Sequence, residues 1–161
     1  MSVELTPNGS RGAGMDKLPR PLVKAMFRLG FAIYLLLGGR MRIQGAYPLV
    51  LTTVGAKSGK MRKTLLGWFP DGDNAWLVVA SFDGSAMHPA WYVNMAKNPD
   101  SVWMELGKLK LKVQAESLKC AEREEAWGRV VSRSPGYAAY QKKTDREIPV
   151  VRLRPAPPSA D

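Results

Sequence analysis

Between Leu49 and Ala115 the chain lays down strand after strand with connections short enough to be turns, and this limits the fold more than any other feature. Leu49–Val54 is apolar and rich in β-formers, Met61–Phe69 reads as a second strand, and Ala75–Phe82 reads as a third, buried one. Pro70-Asp71-Gly72-Asp73-Asn74 carries the turn chemistry that separates the last two. Ser101–Leu106 and Lys108–Ala115 alternate apolar and polar residues around Gly107, which is the pattern of a hairpin. Helices are predicted over Pro21–Leu37, Pro89–Lys97, Ala121–Ser132 and Gly136–Lys143, and Ile148–Leu153 is a closing strand. With no βαβ crossover and no GxGxxG, the expected fold is an antiparallel sheet closing into a small barrel, with helices packed outside.

The 161 residues suit a single domain, placed at 20–155, followed by a tail at 156–161. Residues 1–19 are rich in Gly, Ser, Pro and Arg without apolar periodicity and read as a disordered lead-in. No signal peptide is evident, because the apolar run comes late and no small-residue cleavage site follows it. The helix that begins at Pro21 carries the apolar run Phe31–Leu37, shorter than the roughly 20 residues a bilayer span needs. Two readings stand for it. It covers an open end of the core, which is favoured, or it lies in a membrane interface with Lys24, Arg28, Arg40 and Arg42 at the head groups.

The loop Gly55-Ala56-Lys57-Ser58-Gly59-Lys60-Met61-Arg62 follows the first strand. Its glycines let a ligand approach the main chain, and Lys57, Lys60, Arg62 and Lys63 crowd cations beside backbone N–H groups. That combination suits a phosphate, although the Walker spacing is absent. Read alone, the loop fits equally a basic turn on a solvated surface. The whole chain carries a formal net charge of +10, with seven basic against two acidic residues before Pro48, so the excess is not confined to a tail. Such a balance favours an anionic partner: a polyanionic ligand, a nucleic acid or an anionic membrane. The single cysteine, Cys120, excludes an internal disulfide and fits a reducing cytoplasm; no metal-ligand spacing is present, so no metal is expected.

Four ordered pieces carry a family likeness over about residues 20–155. They are Leu51-Thr52-Thr53-Val54-Gly55-Ala56-Lys57-Ser58-Gly59 with Arg62; Val79-Ala80-Ser81; His88-Pro89-Ala90-Trp91-Tyr92-Val93-Asn94 with Asn98-Pro99; and Thr144-Asp145-Arg146-Glu147-Ile148-Pro149-Val150. Taken together, the sequence resembles the deazaflavin-dependent nitroreductase family, the split β-barrel oxidoreductases of mycobacteria and other actinobacteria that use coenzyme F420. The resemblance implies a mainly β fold with α, a split β-barrel of FMN-binding-like architecture with flanking helices. It also implies an F420H2-dependent reductase that passes a hydride to a hydrophobic, electron-poor acceptor such as a quinone or nitro compound. The alternative is a non-catalytic carrier of F420 or flavin, and FMN is the less favoured cofactor.

Carried over by motif, Lys57, Ser58, Gly59, Lys60 and Arg62 hold the phosphate and the neighbouring glutamate tail, and Thr64 and Leu65 flank the ring. Val79, Ala80 and Ser81 approach its polar edge, while Ala90, Trp91 and Asn94 complete that wall. Tyr137 and Tyr140 match an aromatic pair over the substrate pocket and are the candidate catalytic groups; Gly67 stands where a relative has a substrate-facing Tyr. Ala56 and Phe82 stand where relatives carry cations, with Lys60 and Lys63 as compensation. The implied partners are a small hydrophobic acceptor, peripheral contact with an anionic membrane at the inner face of the cell, and a homodimer.

Each residue also has a plainer reading. Trp91, Tyr92, Tyr137 and Tyr140 are apolar enough for core packing, and His88 before a proline suits a structural role better than a general acid. Ser81 has no paired base and is not read as a nucleophile. A nucleic-acid barrel using Trp68, Phe69 and Trp76 as stacking platforms is disfavoured, because these lie in or beside apolar strand runs.

Overall fold

The strand-and-turn pattern closes into a six-stranded antiparallel barrel in a computed structural model that describes residues 2–158. The strands are β1 (Tyr47–Val54), β2 (Met61–Pro70), β3 (Trp76–Val79), β4 (Val102–Leu106), β5 (Leu109–Ser117) and β6 (Val150–Pro155). They follow one another around the barrel as β1-β2-β3-β6-β5-β4. Helix α1 (Arg20–Leu37) precedes the barrel, α2 (Ala90–Lys97) lies between β3 and β4, and α3 (Cys120–Arg133) and α4 (Gly136–Lys143) precede β6. The element order is the one expected from the sequence, with boundaries displaced by up to two residues at most ends.

Side chains alternate across each strand, and the alternation sorts them into two clusters. Leu49 and Leu51 of β1, Leu66 and Trp68 of β2, Trp76 and Val78 of β3, Val102 and Met104 of β4, Val113 and Ala115 of β5, and Val151 and Leu153 of β6 fill the interior. Helix α2 joins the same cluster through Trp91, Tyr92 and Met95, so it acts as a plug for the barrel. The opposite set, including Phe69, Leu77, Val79 and Val150, packs outside against Ala126 and Val130 of α3 and Tyr137 of α4. Trp68, Phe69 and Trp76 are thereby taken up in packing, against a stacking role.

Two expectations about the N-terminal region need correction. Residues 2–18 do not trail away from the barrel; they lie across it as a strap. Val3 is buried, the Glu4 amide donates to Ser117 Oγ (3.2 Å), Gly9 N donates to Ala86 O (2.8 Å) and Ala13 N to Gly84 O (3.1 Å). Glycine makes this docking feasible: a Cβ on Gly12 would collide with the backbone of Ala86, and one on Gly9 with the Asp145 carboxylate. Asp145 in turn accepts from the Ser10 hydroxyl and from the Ser10 and Arg11 amides, which hold its carboxyl down to about 2.

Helix α1 does not cover the core. Tyr34 is its one buried residue, while Leu22, Met26, Phe27, Leu29, Ile33, Leu35, Leu36 and Leu37 are exposed. Gly38, at φ +57°, ends it, and the stretch Arg20–Arg40 is long and apolar enough, by length and composition, to cross a membrane.

Away from the strap, the β2–β3 turn is pinned by charge. Asp71, with a side chain 6% exposed, pairs with Arg152 of β6 and with Arg129 of α3 (2.6 Å). Burial would raise its pKa, but the hydrogen bonds and charges of Arg152 and Arg129 outweigh that and hold it below the usual carboxylate value.

Candidate active site

The seam between β2 and β3 is the least paired in the closed barrel. β1 and β2 pair along their length from Tyr47↔Trp68 to Val54↔Met61, whereas β2 and β3 pair only at Phe69↔Leu77 and Pro70↔Trp76. From Trp68 back to Met61, therefore, β2 has no β3 partner. Thr64 and Leu65, both half-buried, lie on this unpaired stretch of β2, while Val79 and Ala80 are buried at the end of β3 and half-buried Ser81 follows them. By strand alternation, Thr64 shares the face of Leu66 and Trp68, and Leu65 shares that of Phe69, so their side chains point to opposite faces.

The β1–β2 loop lies at the end of the barrel plugged by α2. Asn94 of α2 accepts from the Ala56 amide (2.9 Å) and donates to Thr53 Oγ1 (3.1 Å), and Asn98 donates to Val54 O (3.0 Å). Inside the loop, Gly55 N donates to Lys60 O (2.9 Å), Gly59 N to Gly55 O (2.8 Å), and Lys60 N to Ser58 Oγ (3.3 Å). Gly59 sits at φ +63°, which closes the turn. These bonds leave the amides of Lys57 and Ser58 without a partner within the described protein. Lys57, Lys60 and Arg62 are exposed and, among the described residues, form no ion pair. Lys63 differs: it is bound to Glu105 of β4 (2.9 Å), so it is not available to replace a cation lost at Ala56. Free cations beside open amides fit a phosphate and a carboxylate chain.

The remaining predicted residues divide by burial. Trp91 and Asn94 are buried, the first in the barrel interior and the second in the loop tether, while Ala90 is exposed. Val79 and Tyr137 belong to the outer cluster, where Tyr137 meets Phe69 edge-on at 5.7 Å and Tyr140 at 5.8 Å. Gly67 does not line an opening: a Cβ there would lie 2.8 Å from Ala46 Cβ and 3.2 Å from Ile43 O, beneath the Ile43–Ala46 turn. That turn places Gln44 so that its amide donates to the Tyr140 hydroxyl, and Ser134 donates to Gln44 O (2.6 Å). Burial, with the charges of Tyr140 and Asp83, pushes Tyr137 up to about 12. Burial and the adjacent Asp83 carboxylate also raise Tyr140. Both phenols are therefore proton-bearing near neutrality.

Sequence reasoning assigned no role to Gln44, Asp83 or Arg146, although Arg146 lies inside a quoted motif. Phe82 and Asp83, at φ +44° and +53°, are consecutive non-glycine residues in the left-handed region, a strain that collects at functional sites. No group of His, Cys, Asp and Glu able to hold a metal occurs among the described residues.

Comparison with known proteins places these features in context. The sequence model of the family described as F420H(2)-dependent quinone reductase matches residues 26–155. An F420H(2)-dependent quinone reductase of Mycobacterium tuberculosis is 39% identical over 142 residues, spanning 84% of this chain and 94% of the relative. A solved F420-H2 dependent reductase is 40% identical, with a TM-score of 0.59 over 66% of this chain and 93% of its own. A second solved structure, described as a domain-swapped dimer, is 33% identical with a TM-score of 0.61, covering 81% and 99% of the two chains.

Proposed function

Because the chain belongs to the F420H(2)-dependent quinone reductase family, we propose that it reduces a hydrophobic quinone-type acceptor with F420H2 at the sparsely paired β2–β3 seam. The observation that carries the reading is the set of unpaired cations Lys57, Lys60 and Arg62 beside the open Lys57 and Ser58 amides, at the end of the barrel nearest that seam. Bound there, the reduced deazaflavin would supply the hydride. Lys57, Ser58, Gly59, Lys60 and Arg62 would hold its phosphate and glutamate tail, with Asn94 fixing the loop that presents them. Leu65 and Ser81 would orient the ring from either side of the seam, over the layer formed by Val79 and Phe69, with Ala80 buried behind Ser81. Tyr137 and Tyr140, kept protonated, would exclude water from the acceptor and hold the proton that accompanies the hydride.

The test is a titration with F420 and, separately, FMN, followed by tryptophan fluorescence at low and high salt. F420 is expected to bind in preference to FMN, and its affinity to fall by about tenfold or more when salt shortens the Debye length from about 10 Å to about 3 Å. Preference for FMN, or affinity indifferent to salt, would overturn the cofactor assignment. The turnover assay then takes a menaquinone analogue and a nitro compound as acceptors.

A second reading, peripheral membrane contact, is supported by the exposed leucines of α1, which would bring the acceptor pocket to the phase where quinones reside. Lys24, Arg28, Arg40 and Arg42 flank them. The full chain is expected to float with vesicles containing anionic lipid, and Leu35→Glu with Leu36→Glu to abolish flotation while leaving the melting temperature unchanged. Equal flotation of this variant would remove the helix from the argument.

A further inference from the structure

Arg146 is 4% exposed and, among the described residues, forms no ion pair, with the Asp16 carboxylate acting on it only through its charge, an unusual state for a cation. Its guanidinium is spent on neutral acceptors. Nε donates to Ser85 O (2.9 Å), Nη2 to both Ala80 O (3.1 Å) and Ser81 O (2.9 Å), and Nη1 to His88 Nδ1 (3.3 Å). Since arginine only donates, His88 Nδ1 must accept, and Nε2–H then donates to Thr6 O (2.8 Å) of the strap. Burial lowers the His88 pKa, which keeps the ring in this neutral form.

The two carbonyls determine where the next two amides point. In a planar trans peptide, C=O and N–H are antiparallel. With Ala80 O and Ser81 O turned onto Arg146, the N–H groups of Ser81 and Phe82 point away from it. Neither amide, nor that of Asp83, has an acceptor within the described protein. Ser81 is right-handed (φ −72°, ψ −41°) while Phe82 (φ +44°) and Asp83 (φ +53°) are left-handed, the succession that gathers consecutive amides into a nest for a negatively charged or carbonyl oxygen.

We propose that Arg146, braced through His88 by the strap residue Thr6, is the positioning residue that aims the Ser81 and Phe82 amides, and with them the nest they share with Asp83, at the polar edge of the deazaflavin. The inference rests on the cofactor reading given above. Lysine keeps the charge but lacks the planar fork that reaches four acceptors, so Arg146→Lys isolates the geometry. Ser81→Pro deletes one amide at a φ that proline tolerates, and Ser81→Ala deletes only the hydroxyl.

Three readouts are taken on each folded variant: amide hydrogen exchange without cofactor, the dissociation constant of oxidised F420, and the visible absorption of the bound cofactor. Arg146→Lys is expected to speed exchange at residues 81–83, weaken F420 by about tenfold or more, and return its spectrum toward that of free F420. Ser81→Pro should weaken F420 to a similar degree, with Ser81→Ala within about threefold of wild type. A folded Arg146→Lys protein with wild-type exchange, affinity and spectrum overturns the proposal. Should that variant not fold, equal F420 binding by Ser81→Pro and Ser81→Ala does so. Wild-type protein that binds no F420 would instead overturn the cofactor reading, while exchange in the unliganded variant still reports whether Arg146 orders the wall.

Discussion

Replacing Lys57 and Arg62 together by alanine is expected to weaken F420 binding by about 10² to 10⁴-fold, with the fold and melting temperature preserved. The size follows from two charge-assisted hydrogen bonds to phosphate or carboxylate, each worth about 1.5–3 kcal/mol. Stability should not change, because both side chains are exposed and neither forms an ion pair among the described residues. Lys63→Ala is the matched control. Set against the single variant Lys57→Ala, it removes the same formal charge only a few residues away, but from a lysine already bound to Glu105, and its effect on affinity is expected to stay within about threefold. Isothermal calorimetry on the three proteins checks the contrast. If Lys63→Ala costs as much as Lys57→Ala, the loop acts as a diffuse basic field and not as a phosphate receptor.

Asp71→Asn is expected to destabilise the fold by about 3 kcal/mol, or roughly 6–12 °C in melting temperature for a chain of this size. The substitution keeps the shape but removes the charge that both Arg129 and Arg152 face, and Arg152, with a side chain 11% exposed, cannot turn fully into water. Its contacts to Glu116 (3.9 Å) and Glu122 (3.6 Å) are longer and recover part of the loss. The effect carries a pH signature. A carboxylate whose folded pKa is depressed stabilises the protein above its unfolded value, near 4, and that stabilisation disappears as pH falls through the folded value. Wild type and variant should therefore differ fully above about pH 5 and converge on acidification. A difference that persists unchanged into strong acid would mean that Asp71 contributes by shape alone.

What could be read from the sequence was whatever repeats at short range. The barrel followed from runs of β-formers such as Leu49–Val54 and from alternation where it occurs, because Val102 and Met104 declare their face two residues at a time. The phosphate loop followed from Gly55 to Arg62, where cations and glycines are adjacent in the chain. Features made from distant parts were harder to see. The strap looked disordered because Gly9 and Gly12 have no apolar period, and their use is evident only against Ala86 and Asp145. The α1 helix was assigned preferentially to the core on its apolar content, yet its leucines face outward. Gly67 looked like a change in a substrate wall, whereas the Ile43–Ala46 turn fills that space. Arg146 sat in a recognised motif, but its partners at Ala80, Ser81, Ser85 and His88 are about sixty residues away.

The placement of β6 between β3 and β5 governs how the molecule is made. Trp76–Val79 cannot find Val150–Leu153 until Leu153 has left the ribosome, so the barrel cannot shut before that residue emerges. Throughout that interval α1 has already emerged with its leucines exposed and nothing of the finished barrel beside it. A nascent chain of this design meets whatever apolar surface lies nearby, bilayer or chaperone, before it owns a site at all. With the membrane contact proposed for α1, attachment would precede closure of the barrel.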